Sequence, residues 1–264
     1  MHIFASLGWK SPQLVLPRHN LAGGRYFLYS WPMVAKVTVI SLGGSLIAPR
    51  GVDTVFLKGF ARLVEEYLAA DERRKLIIVC GGGGLARDYQ AALRELSVDP
   101  RRDDLDWVGI AATRLNGELC LRIFRRWCME ELVTDPSAVT VFAGRIMMAA
   151  GWKPGFSTDN DAVVLAQRFS ADTVINLSNI AQVYSDDPKN NPAARPLDRL
   201  SWKEMLDIVG GEWTPGKNTP FDATAAHAAA QSRIRVIFAE GRDLANLSRI
   251  LTGGDFVGTT IGPE

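Results

Sequence analysis

The sequence predicts an α/β fold: a three-layer α/β/α sandwich around a mainly parallel sheet. Three observations carry this. Short apolar runs at 37–42, 76–80, 173–177 and 235–239 alternate with longer stretches of helical period. Strands separated by helices pair in parallel through crossovers, which cover both faces of the sheet. Four polar or glycine-rich segments, at 41–45, 80–87, 151–159 and 178–188, follow apparent strands. Buried parallel strands deliver their carboxyl ends to ligands in this way.

The chain of 264 residues can bury one large core or two modest ones. Its 47% apolar content and net charge of +1 fit a globular enzyme and exclude a disordered or nucleic-acid-coating chain. No run of about 18 apolar residues marks a membrane span. Cys80, Cys120 and Cys128 lack metal-ligand spacing. Cys80 closes an apolar strand, the other two fall in a helical stretch, and a reducing cytoplasm suits all three.

Residues 1–33 have no period and scatter Pro12, Pro17, Gly23, Gly24 and Pro32 among aromatics. They read as a poorly ordered extension without the plan of a signal peptide, as an upstream choice of start, or as an arm on a neighbouring subunit. The single domain is expected over 34–264, with a first lobe to about 170 and a second from about 171.

Within it, strand 37–42 is followed by Gly43-Gly44-Ser45. A helix over 53–70 places Val55, Phe56, Phe60, Leu63, Val64 and Tyr67 at steps of three and four, with Asp53 as N-cap. Strand 76–80 leads into Gly81-Gly82-Gly83-Gly84 and a helix over 85–96. Residues 99–106 read as loop, and 107–132 as one long helix. Residues 138–142 read as a strand and 145–150 as another. A turn at 151–155 precedes a helix over 158–169. After the strand at 173–177, residues 187–199 read as proline-rich loop. A helix over 201–209 opens on a capping box, Ser201 with Glu204. A loop over 210–220, helix 223–232, strand 235–239, helix 244–251 and strand 258–261 complete the order.

Several segments carry chemistry. Gly43, Gly44 and Ser45 follow a strand, where glycine lets amides approach a phosphate, although a glycine pair also serves as a plain tight turn. Neither a Walker motif nor a dinucleotide fingerprint is present. Gly81 to Gly84 spend on the order of 0.5–1 kcal/mol of backbone entropy each relative to Ala. The helix start behind them attracts an anion, and Arg87, a turn in, adds a guanidinium. Asp106 suits either an N-cap or a ribose hydroxyl. Arg114 and Asn116 suit substrate contact or subunit packing. In 152–159 one of Ser157, Thr158 and Asp159 must cap the next helix. Asp159 could also orient a lysine or a magnesium ion, whereas Lys153 and Asp161 are expected in solvent.

Taken in order, these motifs resemble the amino acid kinase superfamily, and within it the archaeal-type uridylate kinases. The resemblance spans about 37–263. It rests on Gly43-Gly44-Ser45, Gly82-Gly83-Gly84-x-x-Arg87, Asp106 before Gly109-Ile110, and Thr113-Arg114-Leu115-Asn116. It continues through Pro154-Gly155-x-Ser157-Thr158-Asp159, Ser178-Asn179 with Tyr184 and Asp187-Pro188, Phe221-Asp222 and Gly258-Thr259-Thr260-Ile261.

That resemblance implies the amino acid kinase fold and transfer of a phosphoryl group from ATP, with Mg2+, to UMP. Gly82, Gly83 and Arg87 are then expected on the UMP phosphate and Asp106 on its ribose. Trp152, Lys153, Pro154, Gly155, Phe156, Ser157 and Thr158 surround the rest of UMP. Gly43, Gly44 and Ser45 meet the transferring phosphates, and Ser178, Asn179, Tyr184 and Asp187 shape the adenosine pocket. Asp159 and Lys217 are the expected catalytic pair, with no metal held by protein ligands alone. The partners implied are UMP, ATP and further copies of the chain, at least a dimer with a hexamer favoured, without nucleic acid or membrane.

Many members of the superfamily carry Lys where this chain has Ser41, so Lys217 or Lys153 is the substitute. Two other functions are compatible with the fold. One is a related small-molecule kinase, such as an isopentenyl phosphate kinase, for which a histidine near the glycine loop is expected and none stands there. The other is a molybdate- or tungstate-storage-like ATP-binding protein, which would need a His- or acid-rich cluster.

Overall fold

The computed structural model describes residues 35–186, 191, 193–209 and 221–262. Within them a seven-stranded sheet runs in the order β3-β2-β1-β4-β8-β9-β7. Its strands are β1 (Lys36–Leu42), β2 (Arg74–Cys80), β3 (Ile146–Ala150), β4 (Thr173–Ser178), β7 (Arg199–Ser201), β8 (Arg235–Glu240) and β9 (Thr259–Gly262). The first five in spatial order are mutually parallel, so their carboxyl ends share one edge. β9 runs antiparallel to β8, and β7 parallel to β9.

Strand side chains alternate between two cores. One face sends Val39, Ile77, Val79, Met147, Val174, Val236 and Phe238 into α5 (Thr158–Arg168), α6 (Trp202–Val209) and α7 (Ala223–Gln231). The other sends Ile40, Leu42, Ile78, Cys80, Met148, Ile175 and Leu177 toward α2 (Thr54–Ala69), α4 (Arg102–Ile123) and α8 (Leu244–Thr252). Phe60 of α2 is fully buried, stacked on Phe56 and edge-on to Phe124. Truncating such a side chain costs about 3–5 kcal/mol. The two remaining helices, α1 (Gly44–Ile47) and α3 (Gly83–Leu96), begin in the glycine loops. Among the described residues no helix is long and apolar enough to cross a membrane.

Local chemistry sets the helix ends. Asp53, Ser157, Asp222 and Asp243 each accept a hydrogen bond from the amide three residues on. Ser201 and Glu204 bond each other's amides at 3.2 and 2.7 Å, the reciprocal box expected of them.

Four sequence expectations are corrected. Residues 138–142 form no strand, because the outer edge of β3 is taken by Val133, which exchanges hydrogen bonds with Met148 and Ala150. The helix expected over 107–132 starts earlier and ends earlier as α4, with Asp103 and Asp104 in its first turn. Cys128 therefore lies past the helix, its side chain buried just after a turn whose Arg125 and Arg126 are exposed. The stretch read as proline-rich loop contains β6 (Pro196–Leu197), paired with β5 (Val183–Tyr184), and the start of β7. The loop expected over 210–220 lies outside the described residues.

Candidate active site

The shared carboxyl edge of β1, β2, β3 and β4 gathers the candidate residues. Gly44 and the loop 81–83 meet backbone on backbone. A Cβ on Gly44 would lie 2.1 Å from the Gly83 nitrogen and 2.5 Å from the Gly81 carbonyl. Gly83 has φ +66°, and a Cβ there would lie 2.2 Å from the Gly44 oxygen. Only glycine permits this approach, so the two loops are one surface. Gly83 opens α3, whose first-turn amides lack intrahelical partners, although Ala48 O takes that of Gly84 at 2.8 Å. Arg87, exposed on α3, reaches back to the Ser45 hydroxyl at 3.3 Å. Asn116 of α4 donates to Gly81 O and Gly82 O, at 2.8 and 3.2 Å, and so orients the loop carbonyls.

The β3–α5 loop lies beside them. Thr113 Oγ1 accepts from Gly151 N at 2.8 Å. Arg114 donates to Gly151 O and Trp152 O, at 3.2 and 2.9 Å. Asp106 lies inside α4, not at its cap, and accepts from Gly155 N at 2.9 Å. Trp152 and Phe156 pack edge to face with ring centroids 4.9 Å apart. The exposed Lys153 ammonium lies 3.8 Å from the Trp152 ring centre. Pro154 completes the turn, Ser157 caps α5, and Thr158 is its first residue.

Asp159 sits one residue further, beneath the glycine surface. Its Oδ1 accepts from Ser41 Oγ at 2.9 Å and from Asn176 Nδ2 at 2.8 Å. Burial pushes its pKa up to about 6; the Ser41 hydroxyl opposes the rise and the Asp222 charge adds to it. Asp161, expected in solvent, is fully buried. Burial raises its pKa to about 7, opposed by the Trp152 amide.

At the end of β4, Leu177 O accepts from Gly43 N at 2.8 Å, which presses this strand end against the first glycine loop. Ser178 Oγ accepts from Ile180 N, Asn179 is exposed, and Tyr184 pairs with Pro196 in the β5–β6 hairpin. Asp187 and Lys217 lie outside the described residues. The structure thus joins Gly43, Gly44, Ser45, Gly82, Gly83 and Arg87 into one surface. Asp106 and loop 152–158 stand on one side of it, and Ser178 on another.

Sequence reasoning passes over the partnership of Ser41 and Asn176. The two are register neighbours on β1 and β4. A polar residue at the same level in the buried stretch of two neighbouring strands is the available signal, since buried polar groups require partners. Among the described residues no group of three or more His, Cys, Asp or Glu could hold a metal ion.

The profile of the amino acid kinase family matches residues 36–240, most of the chain. The chain belongs to the amino acid kinase family. Among relatives in this family, it is 36% identical over 225 residues to a uridylate kinase of Thermoplasma volcanium, covering 84% of this chain and 96% of the relative. It is 34% identical over 226 residues to one of Methanospirillum hungatei, covering 84% and 93%. The crystal structure of uridylate kinase from Archaeoglobus fulgidus superposes with a TM-score of 0.73 at 32% identity, covering 85% of this chain and 99% of that one. A UMP kinase from Bacillus anthracis, at 19% identity and a TM-score of 0.69, shares the fold. The seven-stranded, mainly parallel sheet with flanking helices is the amino acid kinase fold.

Proposed function

We propose that this protein is a uridylate kinase, transferring the ATP γ-phosphoryl group to the phosphate of UMP to give UDP. One observation carries the reading: the backbone contact of Gly44 with Gly81 and Gly83, which makes a single amide-rich surface for two phosphate chains end to end. The named relatives at 34–36% identity support the same acceptor.

A phosphate oxygen of UMP attacks the γ-phosphorus of ATP, the bond to the β,γ-bridging oxygen breaks, and ADP leaves. The acceptor has a second pKa of about 6 and is largely a dianion at neutral pH. It needs no base to become a nucleophile. Catalysis then reduces to in-line positioning and neutralisation of charge. Gly82, Gly83 and Arg87 take the UMP phosphate, Asp106 its ribose, and 152–158 the remainder, with Thr158 near the uracil. Gly43, Gly44 and Ser45 take the transferring phosphates of ATP. Ser178, Asn179, Tyr184 and Asp187 line its adenosine. Asp159 draws the Lys217 ammonium toward the phosphates between which charge develops. The acceptor lies in the lobe before about 170, where the transferring phosphates of ATP meet it, and the adenosine of ATP lies in the lobe after it.

A magnesium ion would be carried mainly on the nucleotide phosphates, with the Asp159 carboxylate offered from beneath the glycine loops, since Mg2+ is held by one or two carboxylates plus phosphate oxygens rather than by a protein cage. Bound there, it would supply charge neutralisation. The reaction is assigned to the cytoplasm. The exposed apolar face between α3 and α4, with Tyr89 and Leu115 around a groove of about 240 Å³, is assigned to a second copy of the chain.

A coupled assay with ATP as donor and UMP, CMP or AMP as acceptor tests the function. ADP release with UMP well above that with AMP is expected. No product from UMP above a buffer blank would overturn it.

A further inference from the structure

The peptide unit joining Gly151 to Trp152 follows the last residue of β3, where the sheet no longer holds the chain. Side chains from two helices hold it instead. Its carbonyl, Gly151 O, accepts from Arg114 Nε at 3.2 Å, and its N–H donates to Asp161 Oδ2 at 3.2 Å. The oxygen and hydrogen of a trans peptide point in opposite directions. Arg114 of α4 and Asp161 of α5 therefore grip this one plane from opposite sides. Arg114 also takes Trp152 O at 2.9 Å, which fixes the next peptide in turn.

The arrangement is costly. Asp161 is fully buried, and its second oxygen, Oδ1, has no hydrogen-bond partner among the described residues. A buried acceptor left unpaired costs stability, more so when it carries charge. Arg114 offsets part of that across the peptide. Asp161 also lies two residues beyond Asp159 on the same helix, so the grip ties the loop to the helix bearing that carboxylate.

We propose that Asp161 and Arg114 clamp the Gly151–Trp152 peptide plane, and that Asp161 is thereby a positioning residue for the acceptor nucleotide. The inference rests on the assignment of loop 152–158 to the acceptor. The clamp fixes the rotation of the plane. That rotation sets where Trp152 stands, and with it the Trp152–Phe156 ring pair and the Gly155 amide that meets Asp106. A freed plane leaves the same residues in the loop but spreads them over several arrangements, and binding must then select one.

The test combines steady-state kinetics with amide hydrogen exchange over 151–157 on the full chain. Asp161→Ala is expected to raise the KM for UMP on the order of tenfold, the loss of one buried hydrogen bond, with the KM for ATP within about twofold. Exchange over 151–157 should speed up. Asp161→Asn keeps an oxygen for the Trp152 amide and should restore both readouts. Arg114→Ala releases the plane from its other side and should reproduce the Asp161→Ala behaviour; it decides the matter if Asp161→Ala does not fold. An Asp161→Ala or Arg114→Ala protein with unchanged KM for UMP and unchanged exchange, altered only in melting temperature, would overturn the clamp. If wild-type protein does not phosphorylate UMP, the functional reading fails, and the exchange arm still judges the clamp.

Discussion

The Ser41 hydroxyl donates to the Asp159 carboxylate across 2.9 Å, joining the first strand to the first turn of α5 over 118 residues of sequence. Asn176 of the neighbouring strand donates to the same oxygen at 2.8 Å. Two neutral donors thus hold a carboxylate below the glycine surface, at a level where many superfamily members place a lysine. Under the proposed transfer the positive charge comes from elsewhere, and Lys217 is the residue proposed for it. Asp159→Asn should lower kcat about a hundredfold or more while changing both KM values only a few-fold. Initial-rate measurements with each substrate varied check this. A kcat near wild type would remove Asp159 from the chemistry.

Asp159 and Asp161 also make stability depend on pH. Their folded pKa values, about 6 and about 7, lie above the ordinary 3.8. The folded state therefore favours their neutral forms. The stabilisation is fully present below the unfolded value and is lost as pH rises through 6 and then 7. Asp161→Asn removes one of these ionisations. Its stability relative to wild type should rise between about pH 5 and pH 8, by a difference on the order of 1–3 kcal/mol, and its melting temperature with it. Thermal melts across that range measure it; a difference independent of pH would contradict the assignment.

Gly44→Ala places a Cβ 2.1 Å from a main-chain nitrogen that no rotamer change can move. The loss should be at least about 3 kcal/mol. Gly155→Ala is the contrast, since nothing lies within 4 Å of its Cβ and only the φ of +80° resists. It should cost about 1–2 kcal/mol. Urea denaturation of both variants tests the order.

Arg87→Ala should raise the KM for UMP about tenfold to a hundredfold and leave the KM for ATP nearly unchanged. Arg87 is exposed, so the fold should survive the change. Equal effects on both substrates would move it from the acceptor to the phosphates generally.

If the proposed assembly forms through the α3–α4 face, charges placed there, Tyr89→Glu with Leu115→Glu, should dissociate it to monomers. Sedimentation velocity reads this directly. A wild-type chain that already sediments as a monomer would remove the assignment of that face.

Much of this architecture is legible in the amino-acid sequence. Strands ending in glycine, and helices opening on Asp53, Ser157 and Ser201, leave marks that depend on neighbours in sequence. Misreadings arise where distant residues decide. Val139 and Phe142 look like strand residues because they pack on the core, Phe142 edge-on to Phe169, yet Val133 fills the sheet edge. Asp103 and Asp104 make a helix start look like loop. Asp161 is expected in water because α5 is buried on nearly every side near its start, so no polar stripe reveals which side is wet. Asp106, read as an N-cap or a ribose contact, lies inside α4 and reaches across to Gly155 N, a partner 49 residues away that its neighbours in sequence do not reveal.

The fused glycine loops have a mechanical consequence. Gly44 and Gly83 touch without a side chain between them to absorb displacement, so neither loop can shift alone. A phosphate seated against one, as proposed, would press on the other through main chain alone.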